Sequence, residues 1–536
     1  MKIRILVLLF ALTVTGFLQA GGEKLSPELQ QAKLGDAMEV IVQYRVAPTE
    51  MHHLRIAGMG GHLRRTLDGI KGAHYSLPVS AIQNLASDPD VAYISPDRPV
   101  KGMLNVTSPT VNADDVFKQY GLDGSGVGVA VIDSGVKSTA DFKSGRTNAI
   151  VYSETFIAGS AITDDEYGHG THVTGIIAAN GSPSKYRGIA PGVSIISLKV
   201  LDKNGMGTDS GVIAAINRAI QLANKYNIQV INLSLGRPVF EPASQDPLCQ
   251  AVEAAWKAGI VVVVAAGNDG RNNAAGNNGY GTINAPGNDP YVITVGVMKS
   301  MGTPTRSDDL IASYSSKGPT LFDHYAKPDI LAPGNQVVSV LPASLTLSTL
   351  YPKNAVTGGY FQLSGTSMAT PVVSGAAALM IQANPWMSPD QIKAKLMKTA
   401  TKSFPTSSIA VDPVTKVSYT SYYDTFTVGA GYLDILAAVK NWDLPWGAAL
   451  SPYVTFNQTR NTVAVNNIGG QNVIWGSNAA WSSNAVWGSN VIWGSNVIWG
   501  SNVVCGSNVI WGANVIWGSS TADAGEASTL LVNGEQ

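Results

Sequence analysis

The stretch VGVAVIDSG, residues Val127–Gly135, combines an unbroken apolar run with a carboxylate at its end. The run has the length and β-branched composition of a fully buried strand. Four further runs of this kind occur downstream: Ser194–Leu201, Gln229–Leu235, Ile260–Ala266 and Val292–Val297. Helical stretches lie between several of them, such as Gly211–Lys225 and Pro247–Ala258. Apolar strands that alternate with helices predict an α/β fold, in which a mainly parallel sheet carries helices on both faces.

Asp133 follows the first strand directly, at the edge where parallel sheets bind their ligands. On its own this position says little, because an aspartate at the end of a strand often only caps a turn. Its meaning depends on two further segments of the chain.

The first of these segments is GHGTHVTG, Gly168–Gly175. Its composition predicts a loop that enters a helix, with His169 in the first turn. Two histidines three residues apart can also bind a metal ion, but no third ligand with the usual spacing follows and no glutamate stands between them. We therefore interpret His172 as structural and assign no metal.

The second segment is SGTSMATP, Ser364–Pro371, a glycine-containing turn before an alanine-rich stretch. It predicts a helix with Pro371 in the first turn, where proline is tolerated. Ser367 would then lie at a helix N-terminus, whose free amides favour negative charge. Taken alone, the segment is better explained by a serine that only caps the helix.

Together the three segments supply a complete acyl-transfer apparatus. Serine is a poor nucleophile unless a base removes its proton, and histidine titrates in the right range. A buried carboxylate must in turn hold the imidazole in one tautomer. The chain order Asp133, His169, Ser367 is one of three known orders for such residues.

The segments AVIDSGV, GHGTHVTG and GTSMATP resemble the three active-site signatures of the subtilisin-like serine proteases, and the resemblance covers roughly residues 110–440. It implies a subtilisin-like fold, peptide-bond hydrolysis without a cofactor, and a triad of Asp133, His169 and Ser367. It also implies that Asn268, in the segment AAGN, stabilises an oxyanion together with the Ser367 N–H. An esterase would use similar chemistry, but the serine lacks the G-x-S-x-G elbow.

The same resemblance points to a substrate cleft. The segment VINLSLG places Ser234, Leu235 and Gly236 where an extended peptide would pair with the main chain. Ala265, Ala266 and Gly267, with residues 284–287, would form the opposite wall of the first specificity pocket. Since no charge is evident there, we expect an apolar or broad preference. After Pro371 the chain carries Val372-Val373, where the best-known relatives have His-Val.

The remaining sequence suggests a secreted zymogen. Residues 1–20 have the charged start and apolar core of a signal peptide. Residues 21–105, folded over about 36–100, resemble the inhibitory propeptide of the family, with strands at Met38–Tyr44 and Val91–Pro96 and a helix at Pro78–Ala86. We expect self-cleavage near Val100–Val106, within an irregular segment 100–110, to release a catalytic domain of residues 106–443.

The C-terminal extension, residues 444–536, has a different character. A six-residue unit close to NVIWGS recurs over about residues 472–519, with Cys505 in place of one tryptophan. In an extended strand an even period places every tryptophan on the same face, which favours a small β-solenoid. A low-complexity tail without fixed structure is an equal alternative. A surface or adhesion protein that functions through this tail is the competing interpretation of the whole chain.

Composition limits the possible partners. Of 536 residues only 14% are charged, and the net charge is −1, which gives no basis for nucleic-acid binding. No later stretch is long and apolar enough for a membrane helix. We expect a monomer whose partners are polypeptide substrates and its own propeptide. Structural calcium remains unassigned, with Asp164, Asp165 and Asp209 as candidate ligands, and so does pairing of Cys249 with Cys505.

Overall fold

The computed structural model of the protein describes residues 24–26, 29, 37–97, 106–144, 147–181, 186–273, 276–412, 415–445, 447–457, 462–465 and 534–535. The chain forms two compact units, Met1–Gly102 and Met103–Gln536, called the small unit and the large unit below. The predicted signal peptide, the expected cleavage region before Val106 and the tryptophan repeats lie outside the described residues.

The small unit is a four-stranded antiparallel sheet with two helices. Its strands have the order β2-β3-β1-β4. The elements are β1 (Ala37–Tyr44), α1 (Glu50–Gly58), β2 (His62–Leu67), β3 (Gly72–Pro78), α2 (Val79–Ala86) and β4 (Val91–Pro96). Alternate residues of β1 are buried and α2 buries its apolar side chains, so the unit has a core of its own. The sequence pattern predicted β1, α2 and β4 but not the elements between β1 and α2.

The large unit is built around an eight-stranded, mainly parallel sheet. The strands have the order β13-β12-β11-β10-β5-β9-β8, and β14 also pairs with β12. Their bounds are β5 (Gly128–Asp133), β8 (Ile150–Thr155), β9 (Ser194–Lys199), β10 (Ile228–Leu233), β11 (Val261–Ala265), β12 (Ile293–Lys299), β13 (Leu310–Ile311) and β14 (Ile330–Pro333). Only the short β13 runs antiparallel within this sheet. Every residue of β5, β11 and β12 is buried, as expected for strands covered on both faces.

Helices flank the sheet in two groups. The first contains α5 (His169–Ala178) and α9 (Thr366–Ala383), and the second α6 (Asp209–Tyr226) and α7 (Pro247–Lys257). Within each group the helices contact each other and the central strands. The α6 helix begins where the Thr208 hydroxyl accepts from the Gly211 N–H, and Asp246 caps α7 in the same way. The predicted α/β architecture is therefore confirmed, with boundaries shifted by one or two residues.

Smaller elements complete the large unit. The other helices are α3 (Thr107–Thr110), α4 (Ala113–Tyr120), α8 (Thr346–Leu350), α10 (Pro389–Thr399), α11 (Thr425–Val428) and α12 (Ile435–Lys440). The other strands are β6 (Lys143–Ser144), β7 (Thr147–Asn148), β15 (Val337–Val340), β16 (Ala355–Val356), β17 (Tyr360–Leu363), β18 (Ser407–Val411), β19 (Ser418–Tyr422), β20 (Val454–Asn457) and β21 (Thr462–Val465). The α3 turn corrects the expectation that residues 100–110 are irregular throughout. Among the described residues, no helix is both long enough and apolar enough to cross a bilayer.

Candidate active site

Asp133 and His169 form a buried pair at the edge of the sheet. Asp133 is the last residue of β5 and His169 the first of α5, and 2.8 Å separate Asp133 Oδ1 from His169 Nδ1. The same oxygen accepts from the Ser134 N–H at 2.7 Å. Because a carboxylate oxygen can only accept, Nδ1 carries the proton, and Nε2 keeps a lone pair.

The surroundings raise the pKa of His169. Burial opposes a charge on the imidazole, but the Asp133 carboxylate outweighs burial and Asp165 adds a smaller attraction. The Oδ2 atom of Asp133 is buried and has no hydrogen-bond partner among the described residues. A carboxylate with so few donors around it interacts strongly with a positive charge on its neighbouring imidazole.

Close packing explains the glycine that follows His169. A Cβ atom on Gly170 would lie 2.2 Å from the carbonyl oxygen of Gly135 and 3.2 Å from the Cβ of Asp133. Only glycine lets the first turn of α5 approach the loop after β5 this closely. Glycine at position 170 is therefore required for the close approach of His169 to Asp133.

Asp165 connects the segments that carry Asp133 and His169, a role that the sequence motifs do not indicate. Its buried carboxylate accepts from Ser134 Oγ at 2.9 Å, from the Gly168 N–H at 2.8 Å, and from the Thr171 N–H at 2.9 Å and Oγ1 at 2.6 Å. The donors flank both Asp133 and His169 in the chain. An aspartate four residues before the histidine was visible in the sequence, but its donors come together only in the folded structure.

The three candidate calcium carboxylates each have partners within the protein. Asp164 pairs with Lys137, Asp165 has the partners given above, and Asp209 pairs with Arg237. Among the described residues no group of three or more histidine, cysteine or acidic side chains could hold a metal ion. His172 is buried and donates from Nε2 to the Phe361 carbonyl at 2.9 Å, and burial lowers its pKa to about 3.

Ser367 is the second residue of α9, and two hydrogen bonds join it to Ser234. The Ser367 hydroxyl donates to the Ser234 carbonyl at 3.0 Å, and the Ser234 hydroxyl donates to the Ser367 carbonyl at 2.8 Å. The hydrogen bonds of the described residues do not include one between Ser367 and His169, although both side chains line the same cavity. Rotation of the serine hydroxyl away from Ser234 is therefore needed before it can contact the imidazole.

Pro371 explains why the Ser367 carbonyl needs an outside donor. Pro371 is the sixth residue of α9 and lies in its second turn, which corrects the prediction of a first-turn proline. Proline lacks the N–H that would donate to the carbonyl four residues earlier, that of Ser367. The Ser234 hydroxyl fills this place and in turn accepts from Asn232 Nδ2 at 3.0 Å, while Ser374 Oγ donates to Asn232 Oδ1 at 2.8 Å. Asn232 lies near the end of β10 and Ser234 directly follows that strand, a two-residue spacing that is visible in the sequence.

Asn268 has a fixed amide orientation next to Ser367. Its Oδ1 accepts from the Thr366 N–H at 2.9 Å and from Thr366 Oγ1 at 3.1 Å. The Nδ2 group is thereby left as the donor end of the amide, and Asn268 lines the same cavity as Ser367. The Ser367 N–H lies in the first turn of α9, where backbone N–H groups have no acceptor within the helix.

A cavity of about 460 Å³ brings the candidate residues together. It is lined by His169, Ser367 and Asn268, by Ser234, Leu235 and Gly236, and by Tyr167, Leu201, Gly205, Met206, Gly207, Thr208, Asp209, Val212, Arg237 and Leu248. Ala265, Ala266 and Gly267 do not line it. The backbone N–H groups of Ala266 and Gly267 donate to Val295 and Thr366, and their carbonyls accept from Asn284 and Ser316. Each of these four main-chain groups thus has a partner within the protein. The binding roles of Ser234–Gly236 and of Ala265, Ala266 and Gly267 stay predictions.

Cys249 is buried and its Sγ donates to Asn288 Oδ1 at 3.2 Å. It forms no disulfide with any cysteine in the described part of the chain. Cys505 lies outside that part.

Comparisons with known proteins agree on one family. The family model described as Subtilase family matches residues 124–417, which include Asp133, His169, Asn268 and Ser367. Serine protease AprX of Bacillus subtilis (strain 168) is 38% identical over 332 residues, 60% of this chain and 72% of that protein. Subtilisin DY of Bacillus licheniformis is 36% identical over 294 residues, 55% of this chain and 90% of that protein. The crystal structure of a cold-adapted subtilisin-like serine proteinase is 30% identical, covers 58% of this chain and 88% of its own, and has a TM-score of 0.40.

The Asp133→Asn substitution should lower the pKa of His169. Without the carboxylate, burial dominates and disfavours the imidazolium, so the pKa falls instead of standing above its usual value. A pH titration of the His169 ring signals by NMR measures this directly. Asp164→Asn is the matched control, because Asp164 is exposed and paired with Lys137. An unchanged His169 pKa in Asp133→Asn would contradict the assigned pairing.

Proposed function

The chain belongs to the subtilase family and is a subtilisin-type serine endopeptidase, and we propose that Asp133, His169 and Ser367 carry out its hydrolysis of peptide bonds. The observation that carries this proposal is the buried 2.8 Å hydrogen bond between Asp133 and His169, with His169 and Ser367 lining one cavity. The pair provides an imidazole with a fixed tautomer beside a serine at a helix N-terminus.

In the proposed reaction, His169 Nε2 removes the proton of the Ser367 hydroxyl as Oγ attacks the peptide carbonyl carbon. The resulting imidazolium is stabilised by the Asp133 carboxylate, in keeping with the raised pKa of His169. His169 then gives the proton to the leaving amine, and an ester links the acyl group to Ser367. Water, deprotonated by His169, attacks this ester and releases the second product. Each step uses protein groups and water, so the proposed reaction requires no cofactor.

The negative charge of the tetrahedral intermediate would form between two donors. We assign these as the Asn268 Nδ2 group, oriented through the bonds from Thr366 to Oδ1, and the Ser367 N–H in the first turn of α9. Donors that are oriented before the reaction need no reorganisation as charge develops.

Substrate binding provides a reason for the hydroxyl of Ser367 to leave Ser234. An extended peptide that adds to Ser234–Gly236 would donate a main-chain N–H to the Ser234 carbonyl, which now accepts from the Ser367 hydroxyl at 3.0 Å. Competition for this acceptor releases the hydroxyl toward His169. Binding of substrate and activation of the nucleophile would then be coupled through one carbonyl oxygen.

The two-unit organisation of the chain supports a maturation pathway. The small unit has its own sheet and core, as an intramolecular inhibitor and folding aid requires. We propose that residues 1–20 direct secretion, that residues 21–105 are a propeptide removed by self-cleavage near Val100–Val106, and that the released enzyme is a monomer.

We expect cleavage profiling to give a broad or apolar preference for the residue before the scissile bond. The cavity wall contains Leu201, Met206 and Val212, and the charge of Arg237 is matched by Asp209 and Asp246. Burying an uncompensated charged side chain there would be unfavourable. A digest of denatured proteins analysed by mass spectrometry measures the preference, and a strict requirement for lysine or arginine would contradict it.

Ser367→Ala should abolish both activity and maturation. Removal of a triad serine in subtilisins costs on the order of 10⁶-fold in kcat, so casein cleavage should fall to background. An organophosphorus reagent should label the native protein and not the variant. The variant should also be secreted at its longer size from a host without other proteases. A labelled or processed Ser367→Ala protein would contradict the proposal, and a native protein that is never labelled would favour the surface-protein alternative.

Two substitutions separate the proposed roles of Asn268. Asn268→Ala should lower kcat by about 10²–10³ with little change in KM, because the oxyanion donor acts only in the transition state. Asn268→Asp keeps an oxygen for Thr366 but removes the amide donor and adds a repelling charge, so it should be at least as impaired. Near-normal kcat in Asn268→Asp would mean that Asn268 only holds the start of α9.

A further inference from the structure

Glu535, close to the end of the printed sequence, is buried in the large unit with 3% of its surface exposed. Its carboxylate lies 2.6 Å from Lys299 Nζ and 3.1 Å from Arg271, two cations that are themselves buried. The Ser313 N–H donates to the same carboxylate at 2.8 Å, and the Ser313 hydroxyl also donates to it. A charged group is placed in such surroundings at low cost only when donors are arranged for it.

The backbone of Glu535 is recognised as well as its side chain. The Glu535 N–H donates to Asn335 Oδ1 at 2.8 Å, and Asn335 Nδ2 donates to the Glu535 carbonyl at 2.7 Å. The Tyr314 hydroxyl donates to the same Oδ1 at 3.1 Å and so fixes the orientation of the amide. One side chain thus satisfies both main-chain groups of a single residue.

The residue before Glu535 is selected by size. Gly534 has φ 65°, and a Cβ atom there would lie 2.4 Å from Ser364 Oγ and 2.9 Å from Asn335 Oδ1. A larger residue would clash with the site and would also be strained. The site therefore fits the sequence Gly-Glu in particular.

The other end of the extension is also attached to the large unit. The Ser451 hydroxyl donates to the buried carboxylate of Asp329 at 2.6 Å, and the Ala326 N–H donates to the Pro452 carbonyl at 2.8 Å. Residues 466–533, which contain the tryptophan repeats, lie between these two attachments. They lie outside the described residues.

We propose that Arg271, Lys299, Ser313 and Asn335 form a peptide-binding site for the segment Gly534-Glu535, and that this site fastens the C-terminal extension back onto the large unit. The ligand is an acidic dipeptide within a chain, recognised by charge, by its main chain and by the absence of a side chain at glycine. The site borders the turn that leads to Ser367, because Ser364 contacts Gly534 and also accepts from the Gln336 N–H at 2.9 Å.

The test compares full-length Glu535→Gln with full-length Glu526→Gln, both carrying Ser367→Ala to prevent self-digestion. Glu526→Gln removes the same charge from the same extension at a position outside the described residues. Glu535→Gln should lower the melting temperature by several degrees, roughly 3–8 °C relative to Glu526→Gln, because two buried cations lose a carboxylate partner.

A synthetic peptide, residues 530–536 (LLVNGEQ), then probes the vacated site. It should bind full-length Glu535→Gln saturably in fluorescence anisotropy and raise its melting temperature, whereas peptides with Glu535→Gln or Gly534→Ala should bind about tenfold more weakly or less. Should Glu535→Gln not fold, the full-length Gly534→Ala variant serves as receptor. Equal melting of Glu535→Gln and Glu526→Gln, no binding of the native peptide, or equal binding of all three peptides would each overturn the proposal. A loss of stability without peptide binding would make Glu535 an ordinary core residue.

Discussion

The hydrogen bond between Asp133 Oδ1 and His169 Nδ1 is the constraint around which the large unit is arranged. It joins the end of a central strand to the start of a helix, two places where the backbone direction is fixed by the sheet and by helix packing. Asp165 then connects the residues that flank both partners, and Gly170 permits the close approach. These contacts join β5 and α5 into one rigid support for the imidazole of His169.

Ser367 is held in place by a second hydrogen-bond network, separate from that of Asp133 and His169. Pro371 interrupts the regular bonding of α9 and leaves the carbonyl of Ser367 for a partner that directly follows strand β10. That partner, Ser234, is held by Asn232, which is held by Ser374 further along α9. The chain of hydrogen bonds returns to the helix from which it began, so the position of Ser367 depends on strand and helix together rather than on its own turn.

The strands of the central sheet and the three candidate catalytic residues could be predicted because each is indicated by a short stretch of sequence. Buried parallel strands appear as apolar runs, so β5, β9, β10, β11 and β12 were found within one or two residues. The motifs containing Asp133, His169 and Ser367 indicated their places at a strand end and two helix starts. What the sequence did not reveal depended on contacts between distant segments: the donors that meet at the Asp165 carboxylate, and the Ser234 hydroxyl that replaces the missing N–H of Pro371 as donor to the Ser367 carbonyl. The position of Glu535 is the extreme case, since its partner Arg271 lies 264 residues earlier.

An extension attached at both ends behaves differently from a hanging tail when its backbone is cut. A tail that is attached at one end loses everything beyond the cleaved bond. An extension that is attached at both ends keeps both fragments on the molecule, one through Ser451 and the other through Glu535. A protein that is exposed to active proteases would in this way retain its tryptophan repeats after one cleavage of the extension. After such cleavage, the fraction of molecules that still carry the repeats would be larger than the fraction whose backbone is intact.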